Sequence, residues 1–182
     1  MRHPQRAFTL IELMVALAVL GLVLSFVIGS FSGMLSRQRL QAAAENLYDM
    51  LLLARAESIS RNSSVYVSVV EGSSWCYGMD DTAPCTCSTS NDCQVNADTK
   101  VTPGTDYTGI TLDDADIAAL CYDARRGLPA ATSGSTCSNT AISESSFTFS
   151  NANGDALTVK INPVGRLKLC TNSGFRGYQA CS

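Results

Sequence analysis

The sequence predicts an α+β protein in which one long N-terminal helix, its first half transmembrane, joins a small antiparallel β-sheet domain held by disulfides. Three observations predict it. Apolar residues make up 46% of the chain but aromatics only 7%, and between Leu13 and Leu35 there is no charged residue at all. All eight cysteines fall after that run. From about Ser63 onward the chain is rich in Ser, Thr, Asn, Asp and Gly, broken by short β-branched and aromatic runs. At 182 residues there is room for one domain and one added element.

The first seven residues are short and basic, with Arg2 and Arg6 beside His3. A positive flank next to an apolar span favours the cytoplasmic side. At ~1.5 Å rise per residue, Leu13–Leu35 is long enough to cross the ~30 Å hydrocarbon core of a bilayer. It is also longer than the apolar region of a cleaved secretory signal. Glu12 sets this segment apart from a plain signal anchor. A carboxylate at mid-membrane costs ~2.5–3.5 kcal/mol, and less near the end of a span, so its presence implies a partner.

Beyond the apolar run the pattern becomes amphipathic. Leu40, Ala44, Leu47, Leu51 and Ala54 recur at alternating steps of four and three, which marks one helical face, while Arg37, Arg39, Gln41, Glu45, Asp49, Arg55 and Glu57 take the others. No proline occurs between Phe8 and Pro84. One helix is therefore expected from Phe8 to about Arg61. Gly21, Gly29 and Gly33 each weaken it by up to ~1 kcal/mol relative to Ala.

In the distal part, the β-branched run from Ser64 to Val70 reads as a strand, and Trp75 and Tyr77 flank Cys76 in a second. Residues 82–109 read as a loop stapled by Cys85, Cys87 and Cys93. Leu120-Cys121-Tyr122 and Phe147-Thr148-Phe149 mark further strands. Asn153-Gly154 is expected to supply positive φ to a hairpin turn. Residues 156–162 alternate as a strand, Pro163-Val164-Gly165 turns, and residues 166–170 form the closing strand.

The cysteines are Cys76, Cys85, Cys87, Cys93, Cys121, Cys137, Cys170 and Cys181. An even number confined to the distal segment points to disulfides and to export into an oxidising compartment. Zinc is the competing reading. Against it, Cys85 and Cys87 are closer than the usual ligand spacing, and the only histidine, His3, precedes the apolar run. The oxygen-rich Asn151–Asp155 stretch brings calcium to mind, but its spacing does not fit an EF-hand loop.

Composition also bears on function. A formal net charge of −3 argues against a protein that coats nucleic acid, though not against a local basic patch. No histidine lies in the exported part, so the usual general base is missing. The neighbouring carboxylates Asp80-Asp81 and Asp113-Asp114 read as solvated charges. The sequence points to no enzyme, no cofactor and no metal.

The run Ala7-Phe8-Thr9-Leu10-Ile11-Glu12-Leu13-Met14-Val15 resembles the prepilin processing motif of type IV pilins and type II secretion pseudopilins. The resemblance implies cleavage between Ala7 and Phe8 by a prepilin peptidase and N-methylation of Phe8. It also implies that the Glu12 carboxylate meets the amino terminus of a neighbouring subunit, which supplies its counter-charge. Ala7 stands where the family normally has Gly. On this pattern residues 1–7 are the leader, 8–36 the transmembrane and polymerisation helix, 37–62 the amphipathic helix, and 63–182 the disulfide-stabilised β-rich domain.

Two further stretches are similar to the GspH/FimT group: Arg37-Gln38-Arg39-Leu40 through Leu53-Ala54-Arg55-Ala56-Glu57 to Asn62, and Ile161-Asn162-Pro163-Val164-Gly165-Arg166-Leu167-Lys168. The likeness covers residues 7–62 and 161–170 but not the cysteine-rich middle. It implies a pilin-like fold and a minor pilin in the tip or priming complex of a type IV pilus, supporting pilus assembly, twitching motility or DNA uptake. Its partners would be other pilins and minor pilins, the peptidase, the inner membrane and, in one reading, DNA. It would cross the inner membrane once with its C-terminal domain in the periplasm, and be extracellular when assembled.

Two alternatives stay open. The group's Gly-Arg-x-Arg signature implies DNA capture in transformation; here Gly165 and Arg166 match and Lys168 takes the place of the second arginine, with Lys160 and Arg176 as extensions of the patch. The other alternative is a type II secretion pseudopilin. Cys170 and Cys181 are placed to close a C-terminal loop like that of many pilins.

Overall fold

The computed structural model describes residues 9–181, with the side chains of 24–31 and 139 outside that description. The leader and the cleavage pair Ala7 and Phe8 therefore lie outside the described residues. Helix α1 spans Leu10–Arg61, 52 residues, and ends where the sequence pattern ends. Asn62 closes it in the left-handed region (φ 50°), a conformation Asn tolerates better than most residues. The Ser63 N–H then returns to the Ser58 carbonyl at 3.3 Å.

The chain divides into two compact units between Leu35 and Ser36. The described residues of the first form a helix from Leu10 whose described large apolar side chains are exposed, Leu10 at 77% and Leu17 at 60%. Among the described residues no helical stretch is long and apolar enough to cross a membrane. The charge-free run of Leu13–Leu35 passes through residues 24–31, whose side chains are not among those described.

The second unit is the rest of α1 packed on β-sheets. Its strands are β1 (Val65–Val70), β2 (Cys76–Asp80), β3 (Gln94–Val95), β4 (Asp98–Thr99), β5 (Val101–Pro103), β6 (Ile110–Ala115), β7 (Ala119–Tyr122), β8 (Pro129–Ser133), β9 (Thr136–Ala141), β10 (Ser145–Asn151), β11 (Ala156–Ile161), β12 (Leu167–Thr171) and β13 (Gln179–Ala180). One sheet has the order β5-β2-β1-β7-β8-β9, a second β13-β12-β11-β10-β6, and β3 and β4 form a small ribbon. Pairing is antiparallel throughout except between β12 and β13.

One core serves both large sheets. The predicted stripe of Leu40, Ala44, Leu47, Leu51 and Ala54 is fully buried, together with Ala43. It meets Val65, Val67 and Val69 of β1, Phe147 and Phe149 of β10, and Leu157, Val159 and Ile161 of β11 in one apolar cluster. At its centre Trp75 stacks on Tyr77, with centroids 5.6 Å apart, and meets the edge of Phe149 at 5.2 Å. Two buried polar atoms of this cluster are satisfied by backbone carbonyls: Trp75 Nε1 donates to Ile110 at 2.8 Å, and the Tyr77 hydroxyl donates to Ala43 at 3.2 Å.

β1 shows only a weak alternation because both its faces are covered. Its odd residues face the helix. Tyr66 is buried on the opposite side beside Cys121, Ala130 and Cys137, and the Ser68 hydroxyl accepts from the Cys85 N–H at 3.1 Å.

The structure departs from the sequence reading in four places. Residues 82–109 are not simply a loop, since they hold β3, β4, β5 and a 3-10 turn at Gly104–Asp106. Strands β6, β8 and β9 were not expected: β6 carries Asp113-Asp114, β8 opens on a proline and β9 is almost wholly polar, all poor strand signals. Gly154 alone supplies positive φ in the β10–β11 turn (82°), and Asn153 does not. Finally, the strand after Gly165 begins at Leu167 rather than Arg166 and is followed by β13.

All eight cysteines pair, as Cys76–Cys87, Cys85–Cys93, Cys121–Cys137 and Cys170–Cys181. These bridges replace the zinc reading. Among the described residues there is no group of His, Cys, Asp and Glu arranged to hold a metal ion, at Asn151–Asp155 or elsewhere.

Candidate functional site

Two surfaces carry the residues singled out by the sequence. The first is the start of α1. Thr9 caps the helix: its hydroxyl and its carbonyl both accept from the Glu12 N–H, at 3.3 and 3.1 Å. Glu12 stands in the first turn with its side chain exposed, where the helix dipole favours a negative charge. Around it Leu10, Ile11, Leu13 and Met14 are exposed, so the one carboxylate sits in an uncovered apolar collar.

The second surface lies on the hairpin of β11 and β12. Lys160 and Lys168 are directly paired across it. Like charges in that register repel, and Glu144 relieves part of the repulsion through an ion pair with Lys160 at 3.3 Å. Arg166 joins them from the turn. The three cations, with Glu144, Asn162 and Gln179, line a pocket of about 320 Å³. Arg176 does not line this pocket; it belongs to another, within the loop closed by Cys170 and Cys181.

The turn that delivers Arg166 is fixed by Asn162. Its side-chain oxygen accepts from the backbone N–H of Val164 at 3.2 Å and of Arg166 at 2.8 Å, while the Gly165 N–H reaches the Asn162 carbonyl at 2.8 Å. Gly165 has φ 76°, a conformation that disfavours any side chain. Its carbonyl accepts from Arg55 Nη1 on α1 at 3.1 Å.

Sequence reasoning missed a third feature, an acid-centred knot at the C-terminal end of α1. Asp80, taken as a solvated charge, is 6% exposed. One of its oxygens accepts from the Thr82 hydroxyl and N–H and from the Ala83 N–H, and the other from the Gln94 N–H at 3.0 Å. Burial pushes its pKa up, but the hydrogen bonds from Thr82, Gln94 and Ala83 outweigh burial and hold it below 3.8. Next to it Asp81 takes a 2.6 Å ion pair from Arg61, which also donates to Asn96. No motif marks such an acceptor. The only available signal was the Asp-x-Thr spacing typical of a side-chain-capped turn. Asp113 and Asp114, by contrast, are exposed on β6, in line with the sequence reading.

A long helix on antiparallel sheets, with a prepilin-type N-terminal segment and four disulfides, defines a pilin-like subunit. Residues 43–165 match the family of type II transport protein GspH, and residues 2–28 match the prokaryotic N-terminal methylation motif. The chain belongs to the GspH family. Among solved structures it is similar to the type IV minor pilin FimU of Pseudomonas aeruginosa, at 18% identity and TM-score 0.49, covering 80% of this chain and 97% of that one. It is also similar to the minor pseudopilin EpsH from the Type 2 Secretion System of Vibrio cholerae, at 15% identity and TM-score 0.49, covering 73% of this chain and 97% of that one. No curated protein matches it. The family membership rests on the match over residues 43–165.

Proposed function

We propose that this chain is a minor pilin of a type IV pilus that enters the tip or priming complex through its N-terminal helix. In this reading residues 1–7 are removed by the prepilin peptidase between Ala7 and Phe8, and Phe8 is N-methylated. Residues 8–36 hold the precursor in the inner membrane in a single pass and later polymerise, residues 37–62 form the amphipathic half of the helix, and residues 63–182 form the periplasmic domain. Assembled subunits are extracellular. The observation that carries the reading is Glu12, a carboxylate within an exposed apolar helix start. A lone acid there is costly in lipid and becomes favourable when the methylated amine of a neighbouring subunit meets it.

Incorporation tests this directly. Full-length chain and a Glu12→Ala variant are expressed at equal levels, surface filaments are sheared, and each fraction is probed for the chain. The native chain appears in the sheared filaments and the variant stays in the membrane fraction. Equal recovery of both from filaments refutes the reading. Native chain that never leaves the cell envelope points instead to a type II secretion pseudopilin.

A second reading, DNA capture, is favoured by the convergence of Lys160, Arg166 and Lys168 on one pocket. Each phosphate contact contributes to a salt-dependent affinity, so Arg166→Ala/Lys168→Ala makes the slope of log K against log salt shallower by roughly 2 units for duplex DNA. Identical slopes for both proteins end this reading.

A further inference from the structure

The two stretches that resemble the GspH/FimT group, around Arg55 and around Gly165-Arg166, lie 110 positions apart in sequence and are joined by one hydrogen bond in the fold. Arg55 is half-buried on α1. Its guanidinium reaches past the start of β8 to the Gly165 carbonyl. A Cβ at position 165 would stand 3.1 Å from Arg55 Nη1 and 3.1 Å from Pro129 Cδ, closer than side chains normally approach. Together with φ 76°, this leaves glycine as the residue that lets the guanidinium close on the turn. Val164, Gly165 and Arg166 have their N–H groups tied to Asn162, and Gly165 is buried where Pro163 and Val164 are exposed, so its carbonyl needs a donor from the protein. Arg55 supplies it. The Tyr122 hydroxyl is buried with no hydrogen-bond partner. Burial pushes its pKa far above the ordinary phenol range, and the positive charge of Arg55 works in the opposite direction.

We infer that Arg55 is a positioning residue for the basic pocket: by holding the Gly165 carbonyl it fixes where the turn delivers Arg166 beside Lys160 and Lys168, and so sets the affinity of that pocket for a phosphate backbone. This inference rests on the DNA-capture reading given above. A planar guanidinium holds an acceptor in a fixed direction, which an ammonium on a flexible stem does not. The positioning role therefore differs from a contribution of charge.

Binding of a fluorescent DNA duplex to the full-length chain in detergent, across a salt series, separates the possibilities. Two variants keep every phosphate-facing cation: Arg55→Lys retains the charge and loses the fork, and Gly165→Ala changes no charge and pushes the turn off the guanidinium. Both are expected to bind about threefold to tenfold more weakly than the native chain, with an unchanged salt slope because the number of phosphate contacts is the same. Arg166→Ala/Lys168→Ala instead flattens the slope. If Arg55→Lys binds as the native chain does, the inference is overturned while DNA capture stands, whether or not Gly165→Ala folds. If the native chain shows no salt-dependent binding, DNA capture fails and the inference falls with it.

Discussion

The two parts of α1 are built from the same kinds of residue and treat them in opposite ways. Up to Leu35 its described leucines and valines stand exposed, whereas Leu40, Leu47 and Leu51 have no exposed surface at all. Composition does not account for the difference, because leucine is equally apolar in both. What differs is the partner the chain itself provides. Beyond Ser36 the charged residues alternate with the apolar stripe, and two sheets cover that stripe. Between Leu10 and Ser36 there is a single charge, Glu12, and, among the described residues, no sheet. The second part of the helix is covered by the sheets of its own unit, and the apolar side chains described in the first are uncovered.

Truncating the same residue type in each part gives the largest test. Leu47→Ala should lower the stability of the β-rich domain by about 2–5 kcal/mol, as a fully buried leucine does. Leu17→Ala should leave it within about 0.5 kcal/mol, as exposed positions do. Thermal unfolding of the full-length chain in detergent measures both. Equal losses would show that the first part also folds against the domain, and would remove the comparison.

The covalent bridges sharpen the contrast, since all of them lie in the distal unit. Replacing Cys121 and Cys137 by Ser opens the link between β7 and β9 and should cost about 3 kcal/mol on loop-entropy grounds. Denaturant titration gives the value, and recovery of the variant from filaments should fall only as far as its folding does.

A smaller effect is expected at the acid knot. Asp80→Ala leaves the Thr82, Ala83 and Gln94 donors without their acceptor and should cost about 1–3 kcal/mol. The sign of the pH dependence follows from the lowered pKa. The carboxylate contributes stability above its unfolded value near 3.8, and that contribution is lost as pH falls through the lower folded value. The difference in unfolding temperature between native and Asp80→Ala chains should therefore be constant from neutral pH to about 5 and shrink below 4. A difference that grows on acidification contradicts the assignment.

The same contrast governs what the sequence revealed. Helix α1 was legible almost to its last residue because an apolar run passes into an amphipathic stripe with no proline between, and because the motif around Glu12 is local. Strands β1, β2, β7, β10 and β11 announced themselves by Val, Tyr, Phe and Trp. Strand β9 did not: its polar residues form a strand because β8 lies beside it and Cys121 holds Cys137. The short bridges Cys76–Cys87 and Cys85–Cys93 interleave in sequence, so spacing alone did not select them. In the basic surface, Arg166 and Lys168 were legible as a motif. Its closure by Glu144, the absence of Arg176 from it and the clasp of Arg55 on Gly165 all depend on tertiary neighbours. Asp80 was misread for the same reason, because its donors come from a turn and from β3.

The central claim is that the exposed start of α1 becomes a partner-seeking terminus only after processing. Mass spectrometry of the chain isolated from its native membrane, in cells with and without the prepilin peptidase, measures this in one step. The account predicts a mature protein that begins at Phe8 with one added methyl group when the peptidase is present, and at Met1 when it is absent. A chain that begins at Met1 in both contradicts it.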